Sequence, residues 1–469
     1  MSSETSEWLI EAPSPDAVVQ EAYKLLKSAK FVNAVELSRE KMQDCADKCS
    51  LSVVLALSLR RLGRQREAVP VLQTALETAP DRADIWTLLG LCQRDLGERE
   101  KAQISFRSAI KADDSYLRAR YHLAVATQEL GRDLEAVALF KWYLETEQGA
   151  GNALAWSLLG VAYRRLKKFR ESAEAISRAI ALNPDDIPTR NALVITHYQA
   201  GNEAETIKAA RVALEMKDSL ATREFERMNL GLRLKVRDVP FNPSDRNMNV
   251  ISFSLWGDNP VYTHGAIVNA QIAPHIYAGW HCRFYCDSSV PDPIIAELRR
   301  LGAVVHIVRD PKILELKPLW RFLVSDDTSV DRFICRDADS RLNTQEAVAV
   351  DDWIRSGKPF HVMRDHPYHM EVILAGMWGG VSGVLPNIRE LASVAMSYSR
   401  NKWHDQEFLR DVVWPLIRDD AKVHDSQFGF RGADDFPPMC RLPGKMHVGG
   451  AVKHMPPWPV PAWFEAETG

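Results

Sequence analysis

The sequence predicts two parts of different fold class, an α-helical solenoid at residues 15–220 and an α/β domain at residues 248–469. A glycine recurs every 34 residues, at Gly63, Gly97 and Gly131, and a fixed period of this length indicates a helical repeat. The second half of the chain lacks this period. It alternates short apolar runs with helical apolar spacing, which predicts βαβ units and a mainly parallel sheet.

Small residues occupy fixed positions of the repeat. Each of the three glycines follows a leucine and precedes an alanine by five residues, and Trp86 and Trp156 stand at equivalent positions. The period slips by two residues at an insertion around residues 149–151. The pattern resembles the tetratricopeptide repeat, and about six repeats fit between residues 15 and 220. Small residues let neighbouring helices pack closely, and glycine permits the reversal between them.

The resemblance implies a concave face that binds a protein or a peptide. The alternative is that the array only stiffens or dimerises the chain. The period is lost in residues 221–247, which are predicted to form a helical linker because helical spacing continues to Arg237. Pro240 and Pro243 then mark a boundary between the two parts.

Length and composition limit the possible functions. A chain of 469 residues is too long for one domain, and its 46% apolar and 26% charged residues are typical of a globular protein. The formal net charge of -3 gives no reason to expect a nucleic-acid partner. No apolar stretch reaches the roughly 20 residues of a membrane span, and the polar first residues do not resemble a secretory signal. The sequence therefore predicts a cytoplasmic protein without a transmembrane segment.

The elements of the α/β part follow from the length and composition of its apolar runs. Runs rich in Val, Ile and Phe predict strands, and longer stretches with a 3.6-residue period predict helices. The predicted elements are a strand at 249–256, a helix at 262–276, a strand at 282–286, a helix at 291–301, a strand at 303–308, a helix around 320–324 and a strand at 332–336.

Two carboxylates follow the last of these strands. Asp337 and Asp339 stand in the segment Arg336–Arg341, directly after the apolar run 333–335. Ligands of open α/β sheets bind at the carboxyl ends of the strands, and paired carboxylates suit a hard divalent cation that also holds phosphates. The alternative is a solvated turn without a ligand.

A second motif lies near the end of the chain, where His447, Gly450 and Lys453 form the pattern H-x-x-G-x-x-K. A neutral imidazole can coordinate a metal, glycine lets the backbone approach a phosphate, and lysine can neutralise a diphosphate. Together with the Asp-x-Asp motif, this pattern resembles the glycogenin-type retaining glycosyltransferases, which have the GT-A fold. The resemblance covers about residues 248 to 455.

The resemblance implies a set of functional residues. Asp337, Asp339 and His447 would bind Mn²⁺ or Mg²⁺, and Lys453 would neutralise the departing diphosphate of a nucleotide-sugar, with a UDP-sugar favoured. Gly450 would lie beside the phosphates.

The segment Trp403–Leu409 resembles the Asp-Gln helix of the same family. Asp405 would then bind hydroxyls of the donor sugar, and Gln406 would lie near its anomeric carbon. Asp405 is also an ordinary residue for a helix N-terminus, which is the alternative.

Three further residues are expected around the nucleotide. Asp258 and Tyr262 follow the first strand, where the family has an aspartate and an aromatic residue near the base, and Tyr262 would stack on uracil. The alternative is a polar turn with a core tyrosine. Arg321 resembles an arginine that contacts the nucleotide-sugar, and its alternative is a surface ion pair.

Other polar residues of this half fit the family less closely. Arg336 beside the two carboxylates would pair with a phosphate or compete with the metal. The segment 360–369 contains Arg364 and Asp365, which are predicted to face phosphate and sugar hydroxyls unless their roles are structural. Its histidines lack the pattern of a zinc site, because Pro367 interrupts a helix and no cysteine pair is near. Residues 342–372 match no acceptor-binding segment of the family.

The sequence therefore predicts a metal-dependent hexosyltransferase-like enzyme whose repeat array recruits a protein partner or the acceptor. The first alternative is an inactive adaptor that binds a protein through its repeats and a nucleotide-sugar or glycan through its second part. The second alternative is a nucleotidyltransferase or phosphotransferase on a similar sheet. The absence of a G-x-x-x-x-G-K-[ST] loop disfavours a nucleoside-triphosphate enzyme.

Overall fold

The computed structural model describes residues 14–391, 404–444 and 446–451. The chain forms two compact units, Met1–Gly201 and Asn202–Gly469, so the division precedes the predicted boundary at residue 220. Lys453 lies outside the described residues.

The first unit consists of consecutive helices. The helices are α1 Ala17–Lys27, α2 Phe31–Lys41, α3 Lys48–Arg61, α4 Gln65–Thr78, α5 Ala83–Asp95, α6 Arg99–Ala112, α7 Leu117–Glu129, α8 Asp133–Leu144, α9 Glu147–Ala150, α10 Ala153–Arg165, α11 Phe169–Leu182 and α12 Ile187–Gln199. Helices next to each other along the chain pack in pairs, and α3, α5, α7, α10 and α12 also contact one another in succession. The short helix α9 is the insertion at which the period slips.

The turn inside each repeat has a left-handed backbone. Gly63, Gly97 and Gly131 have φ angles of 73°, 80° and 74°, as the predicted reversal requires. Ala29 and Lys167 stand at the equivalent positions of two other repeats and have φ angles of 56° and 59°. The turn conformation is therefore set by the packing of the helices, because two repeats adopt it without glycine.

Small residues inside the helices allow close contact, as the repeat pattern predicts. A Cβ atom added to Gly90 of α5 would lie 2.6 Å from the ring of Phe106 in α6. Gly160 of α10 is covered in the same way by Ile176 of α11. Any larger residue at these two positions would force the paired helices apart.

His122 of α7 makes the stability of this unit depend on pH. Burial, with the nearby guanidinium groups of Arg94, Arg60 and Arg118, lowers the pKa of His122 to about 3. The unfolded chain binds a proton near pH 6.5 and the folded chain does not, so stability falls as the pH drops from about 6.5 towards 3. The slope reaches about 1.4 kcal/mol per pH unit.

We therefore expect His122→Phe to show a smaller decrease in the free energy of unfolding between pH 6.5 and pH 5. Phenylalanine keeps a ring stacked on Phe106 and does not titrate. Urea unfolding of both proteins at several pH values measures the difference. An equal decline in the two proteins would contradict the assignment.

The second unit combines helices with one sheet. Its elements are α13 Glu203–Met228, β1 Asn249–Leu255, α14 Pro260–Ile276, β2 His281–Cys286, α15 Asp292–Arg300, β3 Val304–Ile307, a 3-10 helix Lys317–Asp326, β4 Arg332–Cys335, α16 Thr344–Ser356, β5 Phe360–Arg364, β6 Trp378–Val381, α17 His404–Phe408, a π-helical turn Leu409–Val413, α18 Trp414–Ile417 and β7 Ala421–Asp425. No helix among the described residues of the chain is long and apolar enough to cross a membrane.

The predicted helical linker is helical only in its first part. Helix α13 ends at Met228, and Asn229 follows with a left-handed φ of 45°. The helix packs against the C-terminal helical segment, where Asp218 accepts a hydrogen bond of 2.7 Å from Nε1 of Trp414. Lys217 is almost fully buried and donates to Glu371 at 2.7 Å. These tertiary partners explain why α13 belongs to the second unit and why the repeat pattern fades there.

The sheet has the strand order β3-β2-β1-β4-β6-β5-β7. Strands β1 to β4 are parallel, as predicted, but β6 is antiparallel to both β4 and β5, so the sheet is mixed. The core includes a stacked pair, Phe253 of β1 and Phe284 of β2, with ring centroids 4.7 Å apart. Helices α14, α15 and α16 contribute to the same core.

Candidate functional site

The carboxyl ends of most strands meet at one edge of the sheet. Because β6 is antiparallel to both of its neighbours, β5 runs in the same direction as β4, and β7 is parallel to β5. The chain continues from β1 to β2 on one side and returns to β4 on the other, so the order reverses between β1 and β4. Such a reversal leaves a crevice in which ligands bind. Asp337 and Asp339 follow β4 at this crevice.

Arg321 connects two of the predicted site residues. Its Nη1 donates a hydrogen bond to Oδ1 of Asp337, and its Nη2 donates to Oδ2 of Asp405 at 3.0 Å. Arg321 is only 6% exposed, so the alternative of a surface ion pair is wrong. Burial opposes its charge, but Asp337 and Asp405 more than offset this effect and raise the pKa of Arg321. The guanidinium therefore holds the strand end and the start of α17 together.

Two glycines make room around the Asp-x-Asp turn. A Cβ atom at Gly376, which precedes β6, would overlap Oδ2 of Asp337. A Cβ atom at Gly265 of α14 would overlap the carbonyl oxygen of Ala338. The carboxylate of Asp337 is thus confined between Arg321 and the backbone at Gly376, while 43% of its side chain remains exposed.

Gly376→Ala is expected to displace the Asp337 carboxylate. Binding of any ligand that this carboxylate holds is expected to weaken by at least about tenfold, because metal affinity falls by about this much when the groups that position a metal ligand are changed. Isothermal titration with Mn²⁺ and UDP measures the change. Gly151→Ala in the repeat array is the matched control, because its added Cβ would meet only one backbone oxygen at 3.8 Å. Unchanged binding by Gly376→Ala would contradict the role of Asp337.

The loop after β1 brings Asp258 and Tyr262 to the same edge. Asn259 caps α14 by accepting from the backbone N–H of Val261 at 3.0 Å, and Tyr262 lies in the first turn, 40% exposed. Burial and the neighbouring carboxylates of Asp339 and Asp337 raise the pKa of Tyr262. Tyr262 is therefore a partly exposed aromatic ring close to both carboxylates, and Asp258 is exposed beside it.

The structure brings the second motif to the first. Ser340, which follows the Asp-x-Asp turn, forms an antiparallel bridge with Ala451. Gly449 has a φ of 75° and packs against the sulfur of Met377. Glycine is needed there for both conformation and space. Gly450 follows in the same turn, so the two motifs meet across this bridge although more than a hundred residues separate them.

His447 belongs to a cluster of imidazoles. Its ring centroid lies 4.1 Å from that of His366 and 5.0 Å from that of His369. Burial, with the neighbouring histidines, lowers the pKa of His369 well below its ordinary value, and burial with His447 lowers that of His366 to about 4. Nδ1 of His447 lies 3.0 Å from the carbonyl oxygen of Val448, which leaves Nε2 as the ring atom available to a ligand.

The carboxylate of Asp365 organises this region, in the structural role that the sequence offered as the alternative to a place near sugar hydroxyls. It accepts hydrogen bonds from Ser426 at 2.6 Å, Gln345 at 3.0 Å and the backbone N–H of Val448 at 3.0 Å. The segment that contains His447 is therefore anchored to the end of β5. The only sequence signal is positional, since Asp365 follows β5 directly, as Asp337 follows β4.

Two arginines have structural partners. Arg364 is fully buried and forms an ion pair of 2.9 Å with Asp425, so its predicted place near phosphate is wrong. Arg336 is 1% exposed and faces Glu346 at 3.4 Å in the core, so it neither reaches a phosphate nor competes with a metal at the Asp pair. A buried charge needs such a partner.

Gln406 is tied to the backbone that precedes β6. Its Nε2 donates to the carbonyl oxygen of Ile373, and its Oε1 accepts from the N–H of Ala375 at 3.2 Å. This contact holds the chain next to Gly376. The prediction that Gln406 lies near an anomeric carbon stays a prediction.

The residues at this edge suit a hard cation chemically, because carboxylates are the ligands that Mg²⁺ and Mn²⁺ prefer. Among the described residues, no three His, Cys, Asp or Glu side chains are arranged to hold a metal ion by themselves. Magnesium is commonly held by one or two carboxylates together with substrate phosphates, so a cage of protein ligands is not a requirement. Asp337 and Asp339 fit that mode of binding.

Comparisons with known proteins identify the repeats. Residues 53–116 and residues 153–186 match models of the tetratricopeptide repeat. The first unit therefore contains tetratricopeptide repeats, which are associated with binding of proteins and peptides. The prediction of the repeat family is confirmed.

FlbA, MamA and YrrB are each similar to part of the chain. Protein FlbA of Caulobacter vibrioides is 31% identical over 84 residues, which are 18% of this chain and 14% of FlbA. The structure titled MamA 41-end from Desulfovibrio magneticus RS-1 covers 37% of this chain and 97% of its own, at 19% identity and a TM-score of 0.36. YrrB, described as a TPR protein with an unusual peptide-binding site, covers 39% of this chain and 93% of its own, at 14% identity and a TM-score of 0.35.

Proposed function

We propose that the second unit is a metal-dependent glycosyltransferase, of GT-A type, that moves a sugar from a nucleotide-sugar to an acceptor with retention. The repeat array recruits a protein partner or the acceptor. One observation carries the proposal. Two carboxylates follow β4 at the reversal of the strand order, and the H-x-x-G segment is bridged to the same turn through Ser340 and Ala451.

Asp337 and Asp339 are the metal-binding pair of this proposal. Arg321 fixes one oxygen of Asp337 and keeps its position, while the exposed part of the side chain faces the crevice. His447 would be the third ligand of the metal, through its Nε2 atom. A bound Mn²⁺ or Mg²⁺ would neutralise the diphosphate of the donor. The carboxylates of Asp337, Asp339 and Asp405 outnumber the guanidinium groups of Arg321 and Arg341 beside them, so the site keeps a negative charge and a nucleotide binds well only together with the cation.

The remaining site residues address the nucleotide and the sugar. Tyr262 offers a ring on which a uracil base stacks, with Asp258 beside it, which is why a UDP-sugar is favoured. Asp405 is held by Arg321 at the start of α17 and addresses the donor sugar. Lys453, which lies outside the described residues, follows Ala451 by two positions in the sequence. It neutralises the departing diphosphate beside Gly450.

Calorimetric titration of the full chain with UDP, with and without Mn²⁺, tests the proposal. We expect UDP to bind only with the metal and GDP to bind more weakly. Failure of both nucleotides to bind under either condition would refute the nucleotide-sugar site. Release of UDP from UDP-sugars then measures turnover.

The second candidate is an adaptor that binds a nucleotide-sugar or a glycan without turnover. Its support is that Asp337 is already paired with Arg321 and that both polar atoms of the Gln406 side chain are bound to backbone. Metal-dependent UDP binding without release of UDP from any UDP-sugar would favour this candidate over the enzyme.

A further inference from the structure

Tyr262 and Tyr368 are the exposed tyrosines of the described part of the chain, at 40% and 45% exposure. Tyr262 follows β1 and Tyr368 follows β5. In the sheet, β4 lies between β1 and β5, so the two tyrosines follow strands on opposite sides of the strand that ends at Asp337 and Asp339. Because the proposed function places the nucleotide base at Tyr262, Tyr368 is on the side of the crevice that the base does not occupy.

Tyr368 is also close to the second motif. The ring centroid of His366 lies 4.9 Å from that of Tyr368 and 4.1 Å from that of His447. Nδ1 of His366 accepts a hydrogen bond of 3.1 Å from the backbone N–H of Tyr368, which fixes the two residues relative to each other. One imidazole therefore separates the phenol ring from the histidine that is proposed to bind the metal. A molecule packed on Tyr368 is thus a neighbour of the metal and of the diphosphate.

The loop 365–371, which contains Tyr368, is held at both ends. At its start, Asp365 accepts hydrogen bonds from three different segments of the second unit. At its end, Nζ of Lys217 donates to Glu371 at 2.7 Å. The phenol ring is therefore presented by an anchored backbone, and a ligand that binds it does not have to order the loop first.

The charged residues of this loop already have partners. Asp365 is bound by its three donors, and Glu371 pairs with Lys217. Arg410, which lies near Glu371, pairs with Asp411 at 2.6 Å. In addition, the carboxylates that follow β4 disfavour an acidic acceptor, and the bound cation disfavours a basic one. The loop therefore favours a neutral acceptor.

The acceptor of a glycosyltransferase must also offer a hydroxyl group. The side chain of serine or threonine has too few C–H groups to cover a phenol ring. A sugar ring has a face of C–H groups that packs on an aromatic ring, and its hydroxyl groups stand at the rim of that face. A neutral sugar therefore satisfies both the ring of Tyr368 and the reaction.

We propose that Tyr368 is the platform on which the acceptor binds and that the acceptor is a neutral sugar. The inference rests on the proposed function of the second unit. One face of the acceptor ring packs on the phenol, and one of its hydroxyl groups reacts. The hydroxyl oxygen bonds to the anomeric carbon of the donor sugar as the bond from that carbon to the diphosphate oxygen breaks. The electron pair of the broken bond and the hydroxyl proton both go to the diphosphate.

Saturation-transfer NMR of the full chain with Mg²⁺ and UDP tests the proposal. Magnesium is used because Mn²⁺ would broaden the signals of the probe. The probes are methyl glucoside, methyl galactoside and methyl mannoside, and N-acetyl-tyrosinamide represents a protein side chain as the acceptor. We expect at least one glycoside to bind, with the strongest saturation on the C–H groups of one ring face, and N-acetyl-tyrosinamide not to bind.

Tyr368→Leu is expected to weaken binding of the glycoside by about 3- to 10-fold, because leucine is apolar but has no aromatic face. Tyr368→Phe keeps the ring and is expected to bind the glycoside as the wild type does. Tyr163→Leu, which makes the same change at a half-buried tyrosine of α10 in the repeat array, is the matched control. It is expected to leave glycoside binding unchanged.

Calorimetric titration with UDP and Mg²⁺ separates this inference from the proposed function. If UDP binds but no glycoside does, or if Tyr368→Leu binds the glycoside as tightly as the wild type, the acceptor platform is overturned while the donor site stands. The same conclusion follows if N-acetyl-tyrosinamide is the probe whose binding depends on Tyr368. If UDP does not bind, the proposed function and the acceptor platform are both overturned.

Discussion

Asp339→Asn is expected to abolish the Mn²⁺-dependent binding of UDP. Asparagine keeps the size of the side chain but removes the negative charge that a divalent cation requires, and the diphosphate loses the cation that neutralises it. Loss of a residue behind a metal ligand commonly costs 10- to 100-fold in affinity, so loss of a direct ligand is expected to cost at least about 100-fold. The same calorimetric titration that tests the wild type measures the difference. Folding is little affected, because Asp339 lies in a turn beside the crevice.

Asp351→Asn is the matched control for this substitution. Asp351 is an exposed aspartate in the middle of α16, away from the strand ends, and its replacement removes the same charge. We expect it to bind UDP and Mn²⁺ as the wild type does. If Asp339→Asn also bound both normally, the metal would have to be held elsewhere and the glycosyltransferase proposal would lose its main support.

The repeat array could be predicted from the sequence because its determinants are local and recur. The glycines of the turns and the small residues at the helix contacts recur at a fixed spacing in the sequence, and the structure places them as predicted. Helix α13 shows what a local sequence pattern does not predict. Its helical pattern is visible in the sequence, but its membership in the second unit depends on Lys217 and Asp218, whose partners lie more than 150 residues later.

The second unit could be predicted element by element up to β4 and, beyond it, at the helix that contains Asp405 and Gln406. The first four strands are short apolar runs separated by helices, a pattern that predicts parallel pairing with right-handed connections. The direction of β6 is not encoded in its four residues, Trp378–Val381, because antiparallel pairing depends on how the preceding chain returns. Residues 342–372 matched no family segment, yet they form α16 and β5, and Asp365 stands among them.

For the candidate site, the motifs identified the carboxylates but not their partners. An Asp-x-Asp sequence does not reveal that a guanidinium from the 3-10 helix engages Asp337, or that the same group reaches Asp405 in α17. For Arg336 and Arg364, the sequence predicted contact with a ligand where the structure shows a structural role. Their charge suggested ligand binding, whereas burial with Glu346 and Asp425 makes them part of the core. The charge of a residue does not show whether it lies at the site or in the core, because this depends on its partner in the folded structure.

Arg321→Met is expected to lower the free energy of unfolding of the second unit by about 3–5 kcal/mol, the cost of removing one partner of a buried ion pair. Methionine fills much of the space of the arginine stem, so the loss is mainly electrostatic. Asp405 is 7% exposed and would be left without its cation. Denaturant unfolding of the variant and the wild type measures the difference.

Two further variants distinguish the effect of losing the buried ion pair from the effect of losing any arginine side chain. Arg300→Met removes an exposed arginine that pairs with Glu297 at 2.7 Å, and we expect a change of at most about 1 kcal/mol. Arg321→Met combined with Asp405→Asn is expected to recover much of the stability, because the uncompensated buried carboxylate is gone. It should not recover metal-dependent UDP binding, since Asp337 is no longer held in place. If the double variant were as unstable as Arg321→Met alone, the packing of the arginine stem, and not its charge, would hold the crevice together.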